Sequence, residues 1–210
     1  LRGLVGSEMC IRDRDLKDTL DASPLELTKV QTELAVDFLN QVLKWNKTRN
    51  LISRKLTKKD LAEHFIDCAL LNQHTKNGSI LDVGSGAGFP GICLAIMSPE
   101  KDITLVDSNI KKTSFLLHVK NALGLKNVLV ENKRLESIKK IEEAYLVCRA
   151  FMAPRLFAET VKDKISKDTK VIVMISEEER FSLNGFKTRF IRSEATEFFN
   201  KKRGFLEFQK

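Results

Sequence analysis

Cysteine is scarce and scattered in this chain: Cys10, Cys68, Cys93 and Cys148 form no C-x-x-C pair and lie far apart. That spacing excludes a zinc ribbon and a disulfide framework, and it fits a reducing, cytoplasmic setting. Ten glycines and four prolines among 210 residues exclude collagen-like and low-complexity structure. Long apolar runs are absent too. The candidates around Ile92–Met97 and Val171–Ile175 are strand- or short-helix-sized, against the roughly 18 residues that a membrane-spanning helix needs. A soluble protein with no membrane partner is expected. Histidine occurs three times, and none of His64, His74 and His118 stands beside a nucleophile motif. All three read as helix residues rather than catalysts, no metal site is expected, and Cys93 reads as a packing residue.

What is present is an ordinary globular composition, 42% apolar and 30% charged. A chain of this size buries roughly 70% of its unfolded surface and needs no staple. The 36 basic and 28 acidic residues leave a net charge of +8. That excess fits a polyanionic partner held through its phosphates, and equally an average lysine-rich surface. Basic clusters stand at Lys111-Lys112, Lys133-Arg134, Lys139-Lys140 and Lys201-Lys202-Arg203. Residues 1–14, LRGLVGSEMCIRDR, have no initiator Met, no clean periodicity and no signal-peptide h-region. They read as a non-native leader and are set aside.

Three regions are expected: the leader (1–14), an N-terminal helical cap (15–77) and a Rossmann-like core (78–210). In the cap, Ser23-Pro24-Leu25-Glu26 predicts a helix start, with a serine N-cap, proline at the first position and a capping-box glutamate. Leu27, Val30, Leu34, Phe38, Val42 and Trp45 then recur at helical steps as one apolar stripe. A second helix is predicted from Thr57 to about Gln73, with Leu61, Phe65, Cys68 and Leu71 inward. After Gly78, short β-type runs (Ile80–Val83, Ile103–Asp107, Val128–Glu131, Tyr145–Arg149, Val171–Ile175) alternate with helical stretches. These are Ile92–Met97, Ile110–Leu123, a turn near Leu135–Lys140, and Pro154–Ile165. Such alternation predicts an α/β fold with a parallel sheet covered on both faces. Phe186–Ile191 and Gly204–Phe208 would add an antiparallel edge pair, for seven strands.

The most informative segment is Leu81-Asp82-Val83-Gly84-Ser85-Gly86-Ala87-Gly88-Phe89-Pro90-Gly91, which joins the first strand to the first core helix. Glycines there admit the positive φ angles and close backbone approach that a ligand loop requires. Asp107, ending the next strand, is placed to accept both hydroxyls of an adenosine ribose. A dinucleotide fingerprint reads G-x-G-x-x-G, whereas Gly84, Gly86 and Gly88 give G-x-G-x-G and Phe89 takes the third glycine's place. Asp82, inside the preceding strand, is an acid where a dinucleotide enzyme has an apolar residue. It suits the loop amides or the amino group of a methionine moiety. The combination points to S-adenosylmethionine.

Further stretches join this loop: Trp45-Asn46-Lys47-Thr48-Arg49-Asn50-Leu51, His64-Phe65-Ile66-Asp67-Cys68 and Leu105-Val106-Asp107-Ser108. Downstream come Lys111-Lys112-Thr113-Ser114-Phe115-Leu116, Asn132-Lys133-Arg134-Leu135-Glu136 and Cys148-Arg149-Ala150-Phe151. With these the chain from about Pro24 onward resembles the bacterial small-subunit ribosomal RNA guanine-N7 methyltransferases, the RsmG or GidB family. The resemblance implies a class I S-adenosylmethionine-dependent methyltransferase fold, a seven-stranded mostly parallel sheet whose last strand is antiparallel. It implies methylation of N7 of a guanine in 16S ribosomal RNA. It also implies that Gly84 and Phe89 line the cofactor pocket, that Leu135 and Glu136 flank the adenine, and that Arg149 reaches cofactor or RNA. The expected cofactor site is thus Asp82, Gly84, Gly86, Gly88, Phe89, Asp107, Leu135, Glu136 and Arg149, with Arg149 as the catalytic candidate. The chain departs from the family at Ser176-Glu177, where members carry Lys-Gly, and at Arg203-Gly204, where they carry Arg-His. Both departures bear on the RNA side.

Guanine N7 bears no proton, so no general base is expected. The target base must leave its stack, and Phe89, Phe151 and Arg149 are candidate platforms, with Phe151 read as a core residue first. Lys133, Arg134, Lys139 and Lys140 are expected on the carboxyl edge of the sheet as phosphate contacts. The expected partner is the small ribosomal subunit, and the protein is expected to act as a monomer in the cytoplasm. A small-molecule or protein methyltransferase of the same fold, and a non-catalytic nucleoside-binding module, are the alternatives.

Overall fold

The computed structural model describes residues 15–176 and 185–210. The readings of 1–14, Cys10 and Glu177 lie outside the described residues. Helical residues 15–21 (α1) precede α2 (Lys29–Arg49) and α3 (Lys58–Leu70), and a 3-10 turn follows at Leu71–His74. Then come β1 (Ile80–Val83), α4 (Gly91–Met97), β2 (Ile103–Asp107), α5 (Ile110–Ala122) and β3 (Val128–Asn132). A 3-10 turn at Leu135–Ser137 leads to β4 (Tyr145–Arg149), α6 (Pro154–Val161), β5 (Lys170–Ile175), β6 (Lys187–Arg192), α7 (Ala195–Phe199) and β7 (Gly204–Gln209).

The strands form one sheet in the order β3-β2-β1-β4-β5-β7-β6. Pairing is parallel from β3 through β5, and β7 is antiparallel to both of its neighbours. The strand order therefore reverses between β1 and β4. At that reversal the helices on either side diverge and leave a crevice at the carboxyl ends of the strands. The final strands are not a simple edge hairpin. β7 inserts between β5 and β6, and α7, which the sequence did not announce, makes the connection.

One apolar cluster joins the cap to one sheet face. Leu16, Leu20, Phe38, Leu61 and Phe65 pack with Ile80, Ile103, Leu105 and the buried side of α4 and α5. A second cluster, including Leu81, Val83, Leu146, Phe157 and Val161, fills the other face. Because α3 is buried along most of its length, it is pressed close to the glycine loop that begins α4.

Helix α2 starts later than Ser23-Pro24 predicts. Thr28 is the N-cap: Gln31 N–H donates to its hydroxyl at 3.2 Å, and Gln31 Oε1 accepts from Thr28 N–H at 2.9 Å. Ser23 instead closes α1, donating to the Leu20 carbonyl at 2.6 Å. Val30 is accordingly 63% exposed, outside the stripe predicted for it. The helix predicted from Thr57 begins there as α3, with Thr57 as its N-cap, capped reciprocally with Asp60. No helix among the described residues is long and apolar enough to cross a membrane.

Candidate functional site

Strand β1 delivers the chain into the loop 84–90, where Gly84, Gly86 and Gly88 all have positive φ. The loop is tied down by its own amides. Gly84 and Ser85 N–H donate to the Val106 carbonyl at 2.8 and 3.1 Å, and Gly86 N–H donates to Asp107 Oδ2 at 3.0 Å. The other Asp107 oxygen accepts from Asn109 N–H at 2.8 Å, at the start of α5, and Lys112 Nζ stands 3.8 Å from Oδ2. Each carboxylate oxygen keeps a further acceptor site. Asp107 thus links the loop to the next helix while remaining on the wall of a cleft of about 440 Å³. That is an ordinary size for a small-molecule site.

The cleft crosses the carboxyl ends of four strands. Gly84 follows β1, Asp107 ends β2, Lys133–Glu136 follow β3, and Ala150 with Phe151 follow β4. Of the residues expected at the cofactor site, Gly84, Asp107, Leu135 and Glu136 line it. The others are placed differently. Gly86 reaches it through its bond to Asp107. Gly88 faces Ile92 and Leu116, where any Cβ would collide, so it packs the loop onto the helices. Phe89 is buried with its ring 5.2 Å from Phe38, in the core rather than on the cleft wall. Arg149, ending β4 beside Ala150, does not itself line the cleft; one terminal nitrogen lies 2.6 Å from His64 Nδ1 of the cap.

Phe151 reverses its expected role. It is 37% exposed on the cleft wall and lies over Gly84 so closely that a side chain at Gly84 would strike the ring. It follows Ala150, whose φ of 49° is left-handed for a residue with a Cβ, a conformation that costs roughly 1–3 kcal/mol and clusters at functional sites. Lys112, Ser108 and Asn109 are cleft residues that the sequence reading did not single out. The signals for Lys112 were its place in a basic pair five residues after Asp107 and in the stretch Lys111–Leu116 that carries the family resemblance.

The basic residues divide. Lys133 and Arg134 border the cleft, Lys133 being 3.0 Å from Glu131. Lys139 and Lys140 do not line the cleft, but share a separate depression with Lys133 and Glu131. They lie on the return to the amino end of β4, where Lys140 is paired with Glu142 at 2.8 Å.

Asp82 lies beneath the loop, fully buried. Its Oδ2 accepts from Gly91 N–H at 2.9 Å, the first amide of α4, and its Oδ1 has no partner among the described residues. Burial pushes the carboxyl up to about 7 against the pull of the Gly91 hydrogen bond. In the unfolded chain this acid ionises near 3.8, and in the fold only near 7. Its stabilising contribution is therefore complete at low pH and is lost as pH rises between those values. Asp82→Asn removes that loss, so the melting temperature of the variant minus that of the parent should climb from about pH 4 to about pH 7. Parallel melting curves across that range would refute the buried, protonated acid.

Comparison with known proteins gives a consistent picture. Residues 31–204 match the family model described as rRNA small subunit methyltransferase G, GidB. The ribosomal RNA small subunit methyltransferase G of Francisella philomiragia is 35% identical over 163 residues, covering 76% of this chain and 79% of that protein. Its counterpart in Chromobacterium violaceum is 36% identical over 169 residues, covering 79% and 80%. Among solved structures, a variant of MtNAS in complex with S-adenosylmethionine superposes with a TM-score of 0.57 at 15% identity, covering 87% of this chain and 72% of that one. A SAM dependent methyltransferase from Aquifex aeolicus gives 0.53 at 17% identity, covering 82% and 98%. At such identities the structural matches speak for the fold alone.

Proposed function

The chain belongs to the rRNA small subunit methyltransferase G family, and on that premise we propose that it methylates N7 of a guanine in small-subunit ribosomal RNA, drawing the methyl group from S-adenosylmethionine. The observation that carries the cofactor site is Asp107: a carboxylate at the carboxyl end of β2, held by the Gly86 and Asn109 amides, on the wall of a cleft at the strand-order reversal. The residues present fit the cofactor. Asp107 retains acceptor capacity for ribose hydroxyls, Leu135 and Glu136 stand on the adenine side, and Gly84 lets the ligand approach the backbone. Asp82 Oδ1 is a buried acceptor without a donor among the described residues, which suits an amino group.

The cofactor supplies an electrophilic methyl carbon on a sulfonium. Guanine N7 offers an in-plane lone pair and no proton, so the protein's task is to align the base and exclude alternatives. Such orientation is worth up to roughly 7–11 kcal/mol. Phe151, half-exposed over the loop, is a stacking surface for an unstacked base. Arg149, a half-buried cation ending β4, offers N–H donors suited to a base carbonyl oxygen or a phosphate. Lys133 and Arg134 at the rim suit the flanking phosphates. The reaction belongs to the cytoplasm, where ribosomal subunits are assembled, and we take the acting species to be a monomer.

The test is transfer of tritiated methyl from S-adenosylmethionine to small ribosomal subunits, followed by reduction and aniline scission, which breaks RNA at 7-methylguanosine. Label confined to one guanine of the small-subunit RNA is expected. Label in protein or in small molecules, with none in RNA, would favour the other methyltransferase classes of this fold.

A further inference from the structure

Across the loop from the cofactor cleft lies a second group of polar side chains that joins the cap to the ends of β4 and β7. Arg149 donates from a terminal nitrogen to His64 Nδ1 at 2.6 Å. A guanidinium has no acceptor, so Nδ1 must be the unprotonated nitrogen of the ring and Nε2 must carry the proton. One helical turn later on α3, the buried carboxylate of Asp67 faces Arg203 Nε at 3.5 Å and also attracts the Arg149 charge. Helix α3 therefore presents two acceptors at i and i+3 to two arginines, one ending β4 and one just preceding β7.

The imidazole is held on its other side by aromatic packing. Its ring meets Phe89 edge-on at 6.4 Å, and Phe89 packs on Phe38 of α2. Burial, then the charges of Arg149 and Arg203, lower the His64 pKa to about 4. The ring is thus neutral, and able to accept, throughout the ordinary working range.

We propose that His64, reaching from α3 to within 2.6 Å of the guanidinium, is a positioning residue that fixes Arg149 for methyl transfer. The inference rests on the reading of Arg149 as a residue of the active site. Without the His64 acceptor, Arg149 would keep its attraction to Asp67 but lose the hydrogen bond that fixes its guanidinium orientation, and each methyl transfer would first have to select a rotamer. A mere lock between cap and core would be redundant here. Leu61, Phe65 and Cys68 on the same helix are fully buried and already fix α3 to the core.

The experiment compares His64→Ala, His64→Asn, Arg149→Ala and the double variant His64→Ala/Arg149→Ala in steady-state methyl transfer to small ribosomal subunits. Melting temperature and S-adenosylmethionine affinity are measured alongside. His64→Ala should lower kcat roughly tenfold, the size expected for one charge-assisted hydrogen bond, with cofactor affinity and melting temperature nearly unchanged. His64→Asn, whose Oδ1 takes the place of Nδ1 as acceptor, should recover most of the loss. In the Arg149→Ala background, removing His64 should cost nothing more. Parental kcat in His64→Ala, or an equal further loss in the double variant, would overturn the inference while leaving Arg149 in place. Parental kcat in Arg149→Ala would overturn the assignment of Arg149 itself. If His64→Ala does not fold, His64→Asn against His64→Leu makes the same comparison, because only Asn offers an acceptor.

Discussion

Asp107→Ala should weaken S-adenosylmethionine binding by roughly 10- to 150-fold, because a hydrogen bond to a charged group is worth about 1.5–3 kcal/mol and each 1.4 kcal/mol is a factor of ten. Two losses combine in that figure. The ribose acceptors disappear, and the Gly86 and Asn109 amides lose the carboxylate that holds loop and helix in register. Asp107→Asn separates the two, since its amide keeps one oxygen for an N–H and offers an NH₂ group where the second oxygen stood. Its affinity should fall between parent and alanine variant. Calorimetric titration provides the check, and parental affinity in Asp107→Ala would remove the ribose assignment. Lys112, 3.8 Å from the same carboxylate, would then be left near an unneutralised cleft, so a modest loss of thermal stability is expected beside the loss of affinity.

The cleft wall formed by Gly84, Asp107, Leu135 and Glu136 was legible in the sequence because its parts are local. Three glycines, one acid ending a strand and a residue pair after the next strand all sit at strand ends. The short β-type runs fixed those ends: β1, β2 and β4 begin and end where Ile80–Val83, Ile103–Asp107 and Tyr145–Arg149 predict. The start of α2 was misplaced because two stretches satisfy one pattern. Ser23-Pro24-Leu25-Glu26 and Thr28-Lys29-Val30-Gln31 both read as capping boxes. Tertiary contact decides between them, for Gln31 also donates to the Met97 carbonyl at the end of α4, at 3.1 Å. The His64–Arg149 contact was beyond local reading. Those residues are 85 positions apart, and nothing in the spacing of either announces the other until α3 is packed beside the loop. Phe89 and Phe151 exchanged roles for a similar reason. Both follow a strand closely, and only the cap, absent from any strand-and-loop pattern, buries Phe89 while leaving Phe151 at the cleft.

Gly91→Ala should destabilise the fold more than Gly86→Ala, although Gly91 opens α4 and lines no part of the cleft. A Cβ there would overlap the side chain of Leu105 and come 2.7 Å from Asp82 Oδ2, both in the packed interior. Asp82 cannot retreat without breaking its bond to the Gly91 amide, and Leu105 is fully buried in β2. Overpacking of this kind costs about 1–3 kcal/mol, which in a domain of this size lowers the melting temperature by roughly 2–4 °C per kcal/mol. Gly86→Ala is the control. At φ 57° its Cβ would meet nothing closer than 3.7 Å, so it carries torsional strain without collision, about 1 kcal/mol. Thermal melts of the two variants should therefore differ, with Gly91→Ala the lower. Cofactor affinity should show the opposite order, because the Gly86 amide serves Asp107 directly whereas Gly91 acts only through the strand beneath. Equal melting temperatures would mean that the floor of the loop yields to a methyl group. The burial of Asp82 beneath it would then be too soft to hold the acid in its protonated form.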